Sequence, residues 1–136
     1  MSTKATIAVQ HRDGTVSQVQ CHWDGAPDGV GDTLLAHYNR LNLAEQLVAG
    51  GAISSLGAYL DPVGPHTFDD PEDDVTLYYA RDRGERLRVN KYRNIDELVD
   101  AGATATYNYV FADGTWHVST GRGGAYEPLE FYEERK

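Results

Sequence analysis

Five consecutive residues, Cys21-His22-Trp23-Asp24-Gly25, form the densest run of reactive side chains in the chain. A cysteine nucleophile needs a base beside it in space. Neighbours in a strand point to opposite faces, so Cys21 and His22 diverge and do not make a dyad. Cys21 shares a face with Val19 and Trp23, which reads as a small buried apolar side chain. His22 and Asp24, two apart, share a face, and His37 and His117 are further imidazoles within the same chain. Zinc needs three or four convergent ligands, and no His-x-x-x-His pair is present. No metal ligand and no catalytic residue is therefore assigned. A small hydrolase built on His22 and Asp24 stands as a third reading, conditional on hydrogen-bond reach between its groups.

Two charged segments follow. Residues 61–74 hold six acids, three prolines and one glycine, with no lysine or arginine. Such a stretch reads as an exposed loop whose carboxylates repel one another into water. It lacks the alternating ligands and central glycine of a calcium loop. Residues 81–93 carry Arg81, Arg83, Arg86, Arg88, Lys91 and Arg93 against Asp82 and Glu85, a local net charge of +4. Guanidinium forks beside Tyr78, Tyr79 and Tyr92 suit planar anions or nucleotides. The plainer reading is an internal match between these cations and the acidic loop. Gly121-Arg122-Gly123-Gly124 is a weak phosphate-cradle signal. No phosphate-binding or dinucleotide fingerprint accompanies it.

The elements that position these groups are hairpins. Thr6, Ala8 and Gln10 alternate with Ile7 and Val9, His11-Arg12-Asp13-Gly14 turns, and Thr15–Trp23 returns. Residues 24–31 read as a loop. Asp32 or Thr33 then caps a helix through Tyr38, and Asn42 caps a second helix, Leu43–Ala49, stopped by Gly50-Gly51. Residues 52–60 read as loop plus a short strand. Val75–Ala80 reads as a strand, residues 81–85 as a turn, and the alternation at Leu87 and Val89 as another strand. Asn94 and Glu97 open a short helix ending at Gly102. Ala103–Phe111 and Trp116–Ser119 flank an Asp113-Gly114 turn. Pro128–Glu134 reads as a short terminal helix. The expected fold is one α+β domain over residues 1–136, an antiparallel sheet of about six strands in hairpin pairs with two or three helices packed on one face.

With 136 residues, 40 % hydrophobic and 24 % charged, the composition is that of a soluble globular domain. Nine tyrosines, three phenylalanines and two tryptophans exclude the disordered class. A single cysteine excludes an internal disulfide and points to a reducing compartment. No apolar run nears a membrane span, and Met1–Lys4 has no signal-peptide layout, so a cytoplasmic protein without membrane contact is expected. Twenty-one acids against twelve bases give a net charge of −9, which argues against direct nucleic-acid binding. It fits a basic partner surface, or simply solubility.

The segments Cys21–Gly25, Leu34-Leu35 with His37-Tyr38, Ile53-Ser54-Ser55-Leu56-Gly57, Tyr79–Glu85, and Tyr107-Asn108-Tyr109 with Asp113–Trp116 together resemble a family of small phage and prophage accessory proteins. The likeness spans most of the chain. That family has no settled biochemical role, so the resemblance carries over no catalytic residue and no cofactor. It implies a protein made by a phage in the cytoplasm of a bacterial host. Such proteins often bind and blunt a host defence component, of the CRISPR or restriction type. On that reading the contacts are Asp69, Asp70, Glu72, Asp73 and Asp74, with Glu130, Glu133 and Glu134 as a second patch, and a homodimer is compatible with it. The alternative is a protein that captures a nucleotide signal through His22, Asp24, Tyr79, Arg81, Arg83 and Arg122.

Overall fold

The computed structural model describes residues 3–102, 105–120 and 125–130. Strand β1 (Ala5–Gln10) is the centre of the molecule, and five of its six residues are buried. It pairs antiparallel with β2 (Val16–Cys21), bringing Ile7 opposite Val19. The connecting turn is closed by the His11 N–H on the Thr15 carbonyl (2.8 Å), with Gly14 at φ 90°. On its other edge β1 pairs parallel with β6 (Tyr107–Ala112). Strand β6 turns through Asp113-Gly114, both left-handed, into β7 (Thr115–Thr120). Two positive-φ residues in a two-residue turn match the twist of the flanking strands.

The remaining strands are short. Beyond β2, Cys21 pairs parallel with Ile53 of β3 (Ile53–Ser55), and β3 pairs with β4 (Leu77–Tyr78). The other half of the same β2 edge pairs with β5 (Asn90–Tyr92). Strand β8 (Glu127–Pro128) closes the sheet beyond β7. The spatial order is β4-β3-β2-β1-β6-β7-β8, with β5 beside β2. The sheet thus has eight strands of mixed direction, where about six antiparallel ones were expected. Two parallel pairings make the direction mixed. They join segments distant in the chain and have no local turn to announce them.

Alternation along β1 and β2 faces both sides of the sheet toward apolar layers. Ile7, Val9, Val19 and Cys21 meet helices α1 (Asp32–His37) and α2 (Leu41–Ala49), together with Phe111 and Trp116. Ala8, Val16 and Val110 meet Leu98 of α4 (Ile95–Asp100) on the other face. Helices therefore cover both faces, which corrects the single-face expectation. Residues 27–31 form a π-helical turn running straight into α1, so neither Asp32 nor Thr33 caps it by a side-chain bond. Helix α2 starts at Leu41, and Asn42 is inside it. Asn94 is a true cap: its Oδ1 accepts the Glu97 N–H at 2.9 Å. The 81–85 turn is replaced by a helical turn, α3 (Tyr79–Arg83). Pro128 lies in β8, and the rest of the expected terminal helix from residue 131 on lies outside the described residues. So do Ala103 and the Gly121–Gly124 loop.

Buried aromatic side chains tie the layers together through carbonyl acceptors. Tyr109 Oη donates to Gly25 O (2.7 Å), Trp116 Nε1 to Tyr38 O (3.1 Å) and Tyr78 Oη to Leu47 O (2.5 Å). Each removes the penalty of a buried polar tip. Gly57 is a second kind of tie. A Cβ there would stand 2.4 Å from the Asp74 carbonyl oxygen, and backbone cannot step aside. Its own carbonyl accepts from Tyr38 Oη (2.6 Å), and its N–H donates to Thr76 Oγ1 (3.0 Å). Gly57→Ala is expected to cost about 1–3 kcal/mol by overpacking. Urea denaturation of the two proteins measures it, and an unchanged midpoint contradicts the close approach.

Candidate functional site

The acidic loop, residues 61–74, is ordered by its own side chains. The Glu72 carboxylate accepts the N–H groups of Val63 and Gly64, both at 2.9 Å. The Glu72 N–H donates to His66 Nδ1 (2.9 Å), and Thr67 and Asp70 bond each other. Glu72 is thus turned inward, whereas Asp69, Asp70, Asp73 and Asp74 are exposed. No ion pair forms on these four among the described residues. Glu130 is exposed, and Glu133 and Glu134 lie outside the described residues.

Both ends of this loop are held by Arg81. Its Nη1 donates to Leu60 O (2.5 Å) at the entry, and its Nη2 to Thr76 O (2.7 Å) beyond the exit. Its Nε donates to Asp82 Oδ1 (2.8 Å), and its guanidinium lies 5.0 Å from the Tyr78 ring centroid. Asp82, with a side chain only 5 % exposed, also accepts the Tyr78 N–H (2.8 Å) and faces His66 Nε2 at 3.2 Å. Burial pushes the Asp82 carboxyl up, but Arg81, the Tyr78 N–H and His66 outweigh it and hold the carboxyl below its ordinary value. Of the loop's acids only the exposed Asp61 comes near Arg81, at 3.9 Å; its close carboxylate partner, Asp82, belongs to the basic segment itself. The Arg81 donors are spent within the fold, so Arg81 is withdrawn as a ligand-binding residue.

The other residues of the alternative site converge only in part. His22 Nδ1 bonds Tyr79 Oη. The Tyr79 ring lies 5.5 Å from Phe68, and the Arg83 guanidinium covers both rings at 4.8 and 4.7 Å. Arg83 is neutralised by Glu85. Burial, then Lys4 and Arg83, hold the His22 imidazole below its ordinary value, against Glu85. Asp24 sits apart, in a left-handed conformation beside Asp28 and Asp32 at the mouth of another hollow. No bond joins His22 to Asp24, and among the described residues no three His, Cys, Asp or Glu gather to hold a metal. Arg122 lies outside the described residues. Cys21 is buried, its thiol pushed up to about 12 by burial, as befits a packing residue.

Sequence reasoning missed one constellation. Ser17 Oγ lies 2.8 Å from His11 Nε2, and His11 Nδ1 lies 2.5 Å from Glu45 Oε2. The only signal was a polar Ser17 on the face shared with Val19 and Cys21. No protein-family model matches this chain, and no curated protein or solved structure matches it. No helix among the described residues is long and apolar enough to cross a membrane.

Two outcomes follow from the Arg81–Asp82 clasp. Lysine lacks the fork needed to reach two carbonyls and a carboxylate together. Arg81→Lys is expected to cost roughly 1.5–3 kcal/mol and to speed amide exchange across residues 61–74. Unchanged exchange there contradicts the clasp. Because the Asp82 pKa is depressed by folding, its contribution is complete above the ordinary value of 3.8 and is lost as pH falls through the folded value. Stability measured below pH ~4 should therefore drop less in Asp82→Asn than in the parent.

Proposed function

We propose that the protein acts without turnover at this surface, as a stoichiometric binder of a basic protein surface through the loop 61–74. The observation that supports it is a braced loop carrying four unpaired aspartates beside exposed apolar anchors. Tyr59 is 62 % and Val63 97 % exposed. Tyr59 is fixed next to the acids by its N–H on Asp74 O (3.0 Å) and its carbonyl accepting from Thr76 N–H (2.8 Å). An exposed aromatic on the edge of an acidic loop is the kind of anchor that dominates protein interfaces, and nearby charge speeds and selects the encounter. Solubility alone asks for charge but not for order or for exposed tyrosine and valine.

The resemblance to phage accessory proteins supplies the context: a host bacterial cytoplasm and a defence protein that grips nucleic acid as the target. In that setting a rigid array of carboxylates competes for the surface that otherwise binds phosphates. The captured-nucleotide alternative has less support, because Arg81 and Arg83 are already paired within the chain.

The test is affinity purification from host lysate at low and high salt, with duplex DNA as competitor. A nucleic-acid-handling partner should be retained at low salt and released by salt or DNA. Replacing Asp69, Asp70, Asp73 and Asp74 by lysine should weaken that binding at least about tenfold, roughly 1.4 kcal/mol. The same variant should melt near the parent, since exposed changes cost little. Retention of one partner by parent and variant alike at every salt concentration refutes the acidic surface as the contact.

A further inference from the structure

We propose that Ser17, His11 and Glu45 form a nucleophilic relay that hydrolyses small esters with a short aliphatic acyl group. This goes beyond the binding role above and does not depend on it. The connectivity is that of an activated serine: hydroxyl to Nε2 at 2.8 Å, and Nδ1 to carboxylate at 2.5 Å. Three separate elements supply it. His11 sits in the β1–β2 turn, fixed by its own backbone bonds, Ser17 lies on β2, and Glu45 projects from α2.

All three line one open cavity of about 410 Å³, within the range of small-molecule sites. The His11 and Glu45 side chains are 28 % and 38 % exposed, so water can reach them and burial does not force their pairing. The rest of the wall divides by chemistry. Val48, Ala49, Leu87 and Val89 are apolar and suit an aliphatic acyl chain. Lys91 lies directly across from Ser17 in the β2–β5 register and lines the same cavity. Opposed residues of an antiparallel pair share a face, so the Lys91 side chain rises from the same wall as Ser17 and brings a positive charge to this cavity. Its charge opposes the oxyanion that forms there.

The step balances as an ester plus water giving an alcohol and an acid. Neutral His11, its proton on Nδ1 toward Glu45, takes the Ser17 hydroxyl proton at Nε2 while Oγ bonds to the carbonyl carbon. The tetrahedral centre collapses by breaking its bond to the alcohol oxygen, which leaves with the proton from Nε2. Water then adds to the acyl group on Ser17, giving its proton to Nε2. The Ser17 Oγ–acyl bond breaks, Oγ recovers that proton, and the acid is released. Ser17 and His11 touch the reacting atoms. Glu45 is a positioning residue, holding the imidazole tautomer and orientation.

The full chain is tested with 4-nitrophenyl butyrate and with a fluorophosphonate, its fold checked by circular dichroism. Turnover above buffer should fall on the order of 10²–10³-fold in Ser17→Ala, and Glu45→Gln should lower kcat while leaving KM nearly unchanged. Mass spectrometry should place the phosphonate on Ser17 of the unmodified chain. That mapping decides the matter even where a variant fails to fold. An unlabelled Ser17 in folded protein, or turnover untouched by Ser17→Ala, overturns the proposal.

Discussion

One guanidinium grips both ends of the acidic loop. Arg81 reaches Leu60 O and Thr76 O with separate nitrogens, beside the main-chain bonds that join Tyr59 to Asp74 and Thr76. That guanidinium is itself fixed, because Asp82 takes its Nε and Nη2 and is turned inward by the Tyr78 N–H. Loop closure is an entropic cost that grows with the span enclosed. A fork that satisfies both ends at once offsets it without a disulfide. The loop's own acids would otherwise push the chain apart. Placing Glu72 inward, against two backbone N–H groups, takes one carboxylate out of that repulsion and leaves five aspartates outward.

The same economy explains why α3 exists. Residues 79–83 straddle the end of the expected strand and the expected turn at 81–85, and a five-residue helix is not stable alone. Here Asp82 reaches back to the N–H of Tyr78 at the helix start, and Gly84 closes the other end in the left-handed conformation at φ 72°. Tyr78 then enters the core and bonds Leu47 O, while Tyr79 turns to His22 and Phe68. One short helix therefore joins the loop, the β3–β4 edge and α2.

What was legible in the sequence was what local chemistry decides. The two Asp-Gly hairpins, the Gly50-Gly51 stop and the Asn94 cap all rest on contacts within a few residues. The charge match between adjacent segments was readable only in outline: the loop's acids meet Arg81 solely at the exposed Asp61, 3.9 Å away, while its close partner is Asp82 in its own segment. The parallel β1–β6 and β2–β3 pairings were not, since nothing near those strands encodes a partner a hundred or thirty residues away. Leu87 and Val89 show why alternation alone misleads. They have the strand pattern, yet the paired residues are Asn90–Tyr92, because the free half of the β2 edge lies at Val16–Gln18. The site followed the same rule. His22 and Tyr79, fifty-seven positions apart, meet through a bond that no spacing announces.

Ser17 carries the point furthest. Along β2 its face holds Val19 and Cys21, both in the main core, and a hydroxyl among them is a local inconsistency. Sequences that specify one fold tend to violate their own pattern where function or strain requires it. A serine at this place without a partner would leave a polar group against the core side of the sheet. The fold answers with His11 from the adjoining turn, and answers His11 with Glu45 from α2. The turn that makes this possible is the longer of the two hairpin connections, with three residues closed between His11 and Thr15. A two-residue turn like that at Asp113-Gly114 would carry no side chain back over the strand. Turn length on one hairpin thus separates a purely structural corner from one able to hold an imidazole over a hydroxyl.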